Sequence, residues 1–228
     1  MKAAVLHGIG DIRVEEVKCL PPGPSDVLIR VHVCCVCGSD VRIFNHGNER
    51  VKYTSIIGHE MAGEVVEVGD EVTRYRPGDR ICVGSDVPNM EESWGKNGMG
   101  NLCDINYAVG YQFPGGFAEY CLLNDLTLRY GPVAKIPEGL PYEEAALAEP
   151  LACCINGLER SFLQPGKTVL IIGAGPIGIL LARAAETFGA TLTVLVDRDD
   201  NRVRLAKESG VKNVFDSRTT SLRELDTG

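Results

Sequence analysis

The segment Cys37-Gly38-Ser39-Asp40 groups a thiol, a hydroxyl and a carboxylate, and His59-Glu60 adds an imidazole and a second carboxylate 22 residues beyond Cys37. A catalytic zinc takes three protein ligands of these kinds and keeps one position open for a substrate oxygen. Neither half carries that reading alone. Adjacent residues on a strand face opposite ways, His59-Glu60 lacks the second histidine of an H-E-x-x-H helix, and a single cysteine also serves as a small apolar filler.

A second pattern is Gly173-Ala174-Gly175-Pro176-Ile177-Gly178, a G-x-G-x-x-G that follows an apolar run and opens a helical pattern. The first glycine permits a tight turn, the second lets backbone approach a pyrophosphate, and the third allows close packing of helix on strand. Asp197, 19 residues beyond Gly178, falls at the end of the next apolar run, where a carboxylate can accept hydrogen bonds from a ribose diol. Its charge disfavours a 2′-phosphate and so favours NAD, whereas Arg198 and Arg202 are the residue type that accommodates that phosphate in NADP.

The elements that must position these groups fall in two stretches. From Met1 to about Val133, short apolar runs are broken by glycine and proline: Val27–Val33 alternates, Gly63–Gly69 follows, and Pro77-Gly78-Asp79 turns into Arg80–Val83. This predicts a β-rich, barrel-like domain over residues 1–140. From Pro141 the composition becomes helical, first to Ala148 and again from Leu151 to about Ser161. Then come strand Thr168–Ile172, helix Pro176–Phe188, strand Leu192–Val196, helix Asn201–Ser209 and strand Asn213–Phe215, a βαβαβ series over 141–228. The expected class is α/β plus β.

Composition sets the outer limits. The 228 residues are 44% hydrophobic and carry a formal net charge of -8, which permits a core and opposes non-specific attraction to nucleic acid or anionic membrane. No stretch approaches the ~20 apolar residues of a bilayer span. The first residues lack a signal-peptide core, and nine cysteines, an odd number, suit no disulfide framework. These features point to the cytoplasm.

Taken together, C-G-S-D, G-H-E-x-A-G, P-G-D-R, G-G-F-A-E-Y at Gly115–Tyr120, E-P-L-A-C at Glu149–Cys153 and G-A-G-P-I-G resemble the medium-chain, zinc-dependent alcohol dehydrogenase superfamily. The glutamate beside the histidine and the E-P-L segment look like its polyol branch, typified by sorbitol dehydrogenase. The resemblance implies a GroES-like catalytic domain, a Rossmann domain and a zinc ion. It matches Cys37 and His59 to zinc ligands, Glu60 to a carboxylate on the metal or its water, and Glu149 to a further acid that exchanges with that water. The implied reaction is hydride transfer between a secondary alcohol, in a polyol or amino alcohol, and NAD or NADP, with zinc lowering the alcohol pKa. Ser39 matches the hydroxyl that accepts the alcohol proton. The histidine many members carry two residues after Asp40 is here Arg42, which cannot shuttle a proton, so His46 or water would take the outer step. His7 and His32 have no ligand partner nearby in sequence.

Many members bind a structural zinc through C-x-x-C-x-x-C-x7-C. Those positions are Asn89, Glu92, Gly95 and Cys103, so no structural zinc is expected and the lobe Asp86–Asn106 should be a loosened loop. The sequence stops at Ser221–Gly228, where a third crossover helix would begin, and the Rossmann domain reads as incomplete. Small-molecule alcohols are the expected partners, with a homo-oligomer, dimer or tetramer, for the full-length form. Two other readings stand beside the zinc dehydrogenase: a zinc-free reductase on the same fold, disfavoured by the four matched ligands, and a truncated non-catalytic fragment that binds zinc or nucleotide or serves as an interaction module. The expected outcome for this chain alone is little or no turnover of alcohols; robust NAD-dependent oxidation by the purified chain would refute that.

Overall fold

A computed structural model describes residues 1–220. Two units divide the chain, Met1–Glu149 and Pro150–Gly228. The boundary falls after Glu149 rather than at 140/141 because the short helix that follows Leu140 packs onto strands of the first unit, with Ala145 and Ala146 buried against Ala62 and Ile136.

The first unit contains strands β1 (Lys2–Gly8), β2 (Asp11–Glu16), β3 (Val27–Cys35), β4 (Ser55–Ile56), β5 (Glu60–Val68), β6 (Arg80–Val83), β7 (Asp86–Val87), β8 (Tyr107–Ala108), β9 (Tyr120–Leu123) and β10 (Val133–Lys135). Helices α1 (Gly38–His46), α2 (Ser93–Lys96), α3 (Asp125–Tyr130) and α4 (Tyr142–Ala145) connect them. Helix α5 (Ala148–Arg160) leads into the second unit, which holds β11 (Thr168–Ile172), α6 (Pro176–Thr187), β12 (Leu192–Asp197), α7 (Asp200–Glu208) and β13 (Asn213–Asp216).

The central sheet of the first unit runs β10-β6-β5-β3-β9, all antiparallel, and a smaller antiparallel sheet runs β2-β1-β4. The alternation read at Val27–Val33 positions Val27 and Ile29 in the main core with Met61, Val65 and Ile81, while Arg30 and His32 face out. Leu28 departs from the pattern and is buried on the other face. The β-rich expectation omitted α1 and α3. Helix α3 forms because Asn124 caps it, its side chain accepting the Thr127 N–H at 2.9 Å.

In the second unit β11, β12 and β13 form a parallel sheet in that order, with α6 and α7 as the crossovers. Leu195 is 0% exposed at the centre of its core, among Ile171, Ala182, Ala206 and Val214. Strand β11, read as a run buried on both faces, is covered on one: Ile171 is buried, whereas Leu170 is half exposed and Ile172 is 81% exposed. Residues 221–228, where a further helix was expected to begin, lie outside the described residues. No helix among the described residues is long and apolar enough to cross a membrane.

Truncating Leu195 to alanine is expected to cost the second unit about 3 kcal/mol. Urea unfolding followed by hydrogen exchange in β11 and β12 should show that loss and leave exchange in β3 and β5 unchanged.

Candidate metal centre and nucleotide site

Cys37 lies two residues past the end of β3 and caps α1 from an extended conformation. The cap is closed by Asp40, whose Oδ2 accepts the Cys37 N–H at 2.9 Å. Its other oxygen, Oδ1, is 3.5 Å from His59 Nδ1, an electrostatic contact longer than an ordinary hydrogen bond. One buried carboxylate therefore faces both the thiol-bearing residue and the imidazole. His59 follows Gly58, whose φ of 95° suits glycine and whose Cβ, if present, would strike the Phe117 ring. Glu60 opens β5 opposite Cys35, so the sheet itself fixes its position.

Ligand atoms of Cys37, His59 and Glu60 all lie within 4.8 Å of one another. Ser39 Oγ, Asp40 Oδ1 and His59 Nδ1 are shut off from water without hydrogen-bond partners, an unusual concentration of unmet polar groups. Charge points the same way. Burial opposes protonation of His59, yet Asp40, then Cys37 and Glu149, outweigh it and raise its pKa to about 9. Burial raises the Glu149 carboxyl; His59 opposes that shift, and Glu60, Asp86 and Asp40 reinforce it. A water-poor site with excess negative charge and a thiol, an imidazole and a carboxylate suits a divalent cation of the zinc type. Glu149, in the first turn of α5, feels this charge but is not one of the three clustered residues.

The sequence reading missed two neighbours, and it counted Asp40 only among the available carboxylates. Asp40 had a local signal, an acid at the third helical position. Tyr111 lies 5.7 Å from His59, ring to ring, and the Arg50 guanidinium sits 4.8 Å over Tyr111; nothing local in the sequence announces either. The remaining histidines are accounted for separately: His7 contacts Glu15 at 2.5 Å, His32 stacks on Tyr142, and His46 ends α1.

The lobe expected to be loose has order of its own. The Glu92 carboxylate accepts from Asn89 Nδ2 at 2.8 Å, Asp104 N at 2.9 Å and Ile105 N at 3.4 Å. Cys103 Sγ lies 3.7 Å from the Asn89 carbonyl, which also abuts Gly95 closely enough to exclude a Cβ. The Glu92 carboxylate thus ties Asn89 to Asp104 and Ile105, and the Asn89 carbonyl in turn meets Cys103 and Gly95.

In the second unit Gly173 has φ of 109°, and a Cβ on Gly178 would collide with the Gly173 carbonyl, as the motif's turn and packing roles require. Gly175 caps α6 and Pro176 occupies its first turn, with Ile177 half exposed beside it. Asp197 is buried: Oδ2 accepts from Ala174 N at 2.8 Å, and Oδ1 from Arg198 N at 2.7 Å and Asp199 N at 3.0 Å. Burial pushes its pKa up, but these N–H donors and Arg202, 3.7 Å away, hold it below the usual carboxylate value. The carboxylate thus braces the glycine-rich turn, and the Arg198 and Arg202 side chains are exposed beside it.

A metal-ready donor set on an antiparallel β unit, followed by a glycine-rich βαβαβ unit, defines the class of zinc-type nucleotide-dependent oxidoreductases. Residues 23–137 match the alcohol dehydrogenase GroES-like domain, and the chain belongs to that family. It is 35% identical to a sorbitol dehydrogenase of Bacillus subtilis (strain 168), covering 100% of this chain and 64% of the relative. Against an L-threonine 3-dehydrogenase of Chelativorans sp. the identity is 38%, covering 89% and 58%. Among solved structures, a Sinorhizobium meliloti 1021 protein bound to NADP superposes with TM-score 0.88 at 35% identity, covering 97% of this chain and 63% of that one. The 2R,3R-butanediol dehydrogenase of Bacillus subtilis gives 0.84 at 32%, covering 96% and 64%. The chain spans less than two thirds of the length of these relatives.

Backbone N–H donation from Asp104, reinforced by Ile105 and Asn89, holds Glu92 below its ordinary pKa of 4.5. Because the folded pKa is the lower one, the carboxylate's support is present above 4.5 and is lost as pH falls through the depressed value. The amide resonances of Asp104 and Ile105 should titrate with a midpoint below 4.5 and lose that titration in Glu92→Gln; a midpoint at or above 4.5 would contradict the bonding.

Proposed function

We propose that this chain contributes the zinc-binding and nucleotide-binding parts of a dehydrogenase that moves a hydride between a secondary alcohol, in a polyol or amino alcohol, and NAD or NADP. The observation that carries the reading is the convergence of Cys37, His59 and Glu60 ligand atoms within 4.8 Å. Bound zinc would supply Lewis acidity toward the substrate oxygen.

The chain's own groups do the rest. Cys37, His59 and Glu60 hold the ion, with His59 using Nε2 because Nδ1 faces Asp40. Asp40 fixes the orientation of that ring and of the Cys37 backbone. Ser39 Oγ, buried and unpartnered, accepts the alcohol proton while giving its own to the outer step, His46 or water. Glu149 serves as the nearby acid, its raised pKa making it able to hold a proton closer to neutrality than an exposed glutamate. Gly173, Gly175, Pro176, Ile177 and Gly178 receive the pyrophosphate; Asp197 shapes that turn, and Arg198 and Arg202 meet the adenosine ribose, where they admit a 2′-phosphate. The hydrogen bonds around Glu92 support a single zinc, since they tie down the second lobe without thiolates. The nine cysteines, an odd number that suits no disulfide framework, support a reducing compartment, the cytoplasm.

Purified chain is expected to carry one zinc, lost in Cys37→Ser and held about 10–100-fold more weakly in Asp40→Asn. Elemental analysis and chelator competition measure both. Two zincs per chain, or zinc retained without Cys37, would overturn the assignment.

A further inference from the structure

Arg50 is half-buried. Nη2 donates to the Asn106 carbonyl at 2.6 Å, and the guanidinium lies over the Tyr111 ring. Nε is cut off from water with no partner, as is the neighbouring residue's Asn106 Oδ1. No carboxylate pairs with Arg50 among the described residues, although the chain has 31 acidic against 23 basic side chains. A guanidinium carries five N–H donors, and withdrawing it from water without an anion is costly. Such an arginine is built to receive an anion from outside the protein.

Its position says which anion. Tyr111 contacts both groups, the Arg50 guanidinium at 4.8 Å and the His59 ring at 5.7 Å, so the cation and the donor set share one aromatic neighbour. A substrate whose reacting carbinol sits at Cys37, His59 and Glu60 projects the rest of its carbon chain away from them, and a group several carbons along spans the distance to a cation that shares a contact residue with His59. We infer that Arg50 selects for an anionic polyol, one with a phosphate or carboxylate remote from the carbon that is oxidised. The Nη N–H groups not committed to Asn106 suit either group, and the Tyr111 ring supports the guanidinium. This rests on the dehydrogenase reading of the metal centre and narrows its substrate class.

The test is calorimetric binding to the zinc-loaded chain of sorbitol, sorbitol 6-phosphate, gluconate and inorganic phosphate, without turnover. At least one anionic polyol is expected to bind about tenfold or more tightly than sorbitol, the scale of one charge-assisted contact. Arg50→Met should abolish that preference while sorbitol affinity stays, Arg50→Lys should keep part of it, and Arg50→Gln, which retains donors without charge, should lose it. The sugar arms distinguish phosphate from carboxylate. Equal affinity for all polyols, no polyol binding at all, a preference that survives Arg50→Met or Arg50→Gln, or inorganic phosphate binding as tightly as sorbitol 6-phosphate would each overturn the inference. Failure of the underlying reading looks different: zinc would then not load through Cys37 and His59, whatever the anion result.

Discussion

Asp40 is the carboxylate on which the candidate centre turns. It holds the first turn of α1 by accepting the Cys37 N–H and presents its second oxygen to His59, more than a strand away in sequence. Buried with no lysine or arginine partner among the described residues, it would be costly as an isolated charge. The backbone donor and the imidazole offset that cost, and the same contacts orient the two groups a cation would bind. Capping, imidazole orientation and local charge are therefore one interaction seen from three sides. Neutralising it would loosen all three together.

A similar economy recurs elsewhere. Glu92 gathers Asn89, Asp104 and Ile105, and Asp197 gathers Ala174, Arg198 and Asp199. In each case one carboxylate organises an irregular segment by accepting backbone N–H groups that would otherwise lack partners. The acidic excess of the chain is thus partly structural. Arg50 is the inverse case, a cation for which the described residues supply an aromatic face and a carbonyl but no acid.

The regular elements were legible where punctuation is strong. Arg80–Val83 and Thr168–Ile172 have the limits read from sequence because Pro77-Gly78-Asp79 and Gln164-Pro165-Gly166 stop the chain before them. Helix α1 was not legible: Gly38 and the β-branched Val41 and Ile43 are weak helix formers, and its N-cap is a cysteine. What decides it is the Asp40 bond to the backbone. At the site, Cys37, His59 and Glu60 could be picked out because each sits in a contiguous motif, whereas Tyr111 and Arg50 meet only through tertiary packing. The Glu92 network escaped notice for a related reason, since two of its donors are main-chain amides that carry no residue signature.

Strands β3 and β5 pair through two irregularities, at Leu28/Ile29 and Val31/Val33, before Cys35 comes opposite Glu60. Side chains alternate along a strand, so a slip of one residue would turn Glu60 to the other face and take it out of alignment with Cys37, which follows β3. The three donors therefore meet only when this pair of strands is threaded in its native alignment. An ion that needs all three would act as a proofreader of the sheet, held by correctly aligned molecules and released by misaligned ones, so metal retention would report on how faithfully the chain has folded.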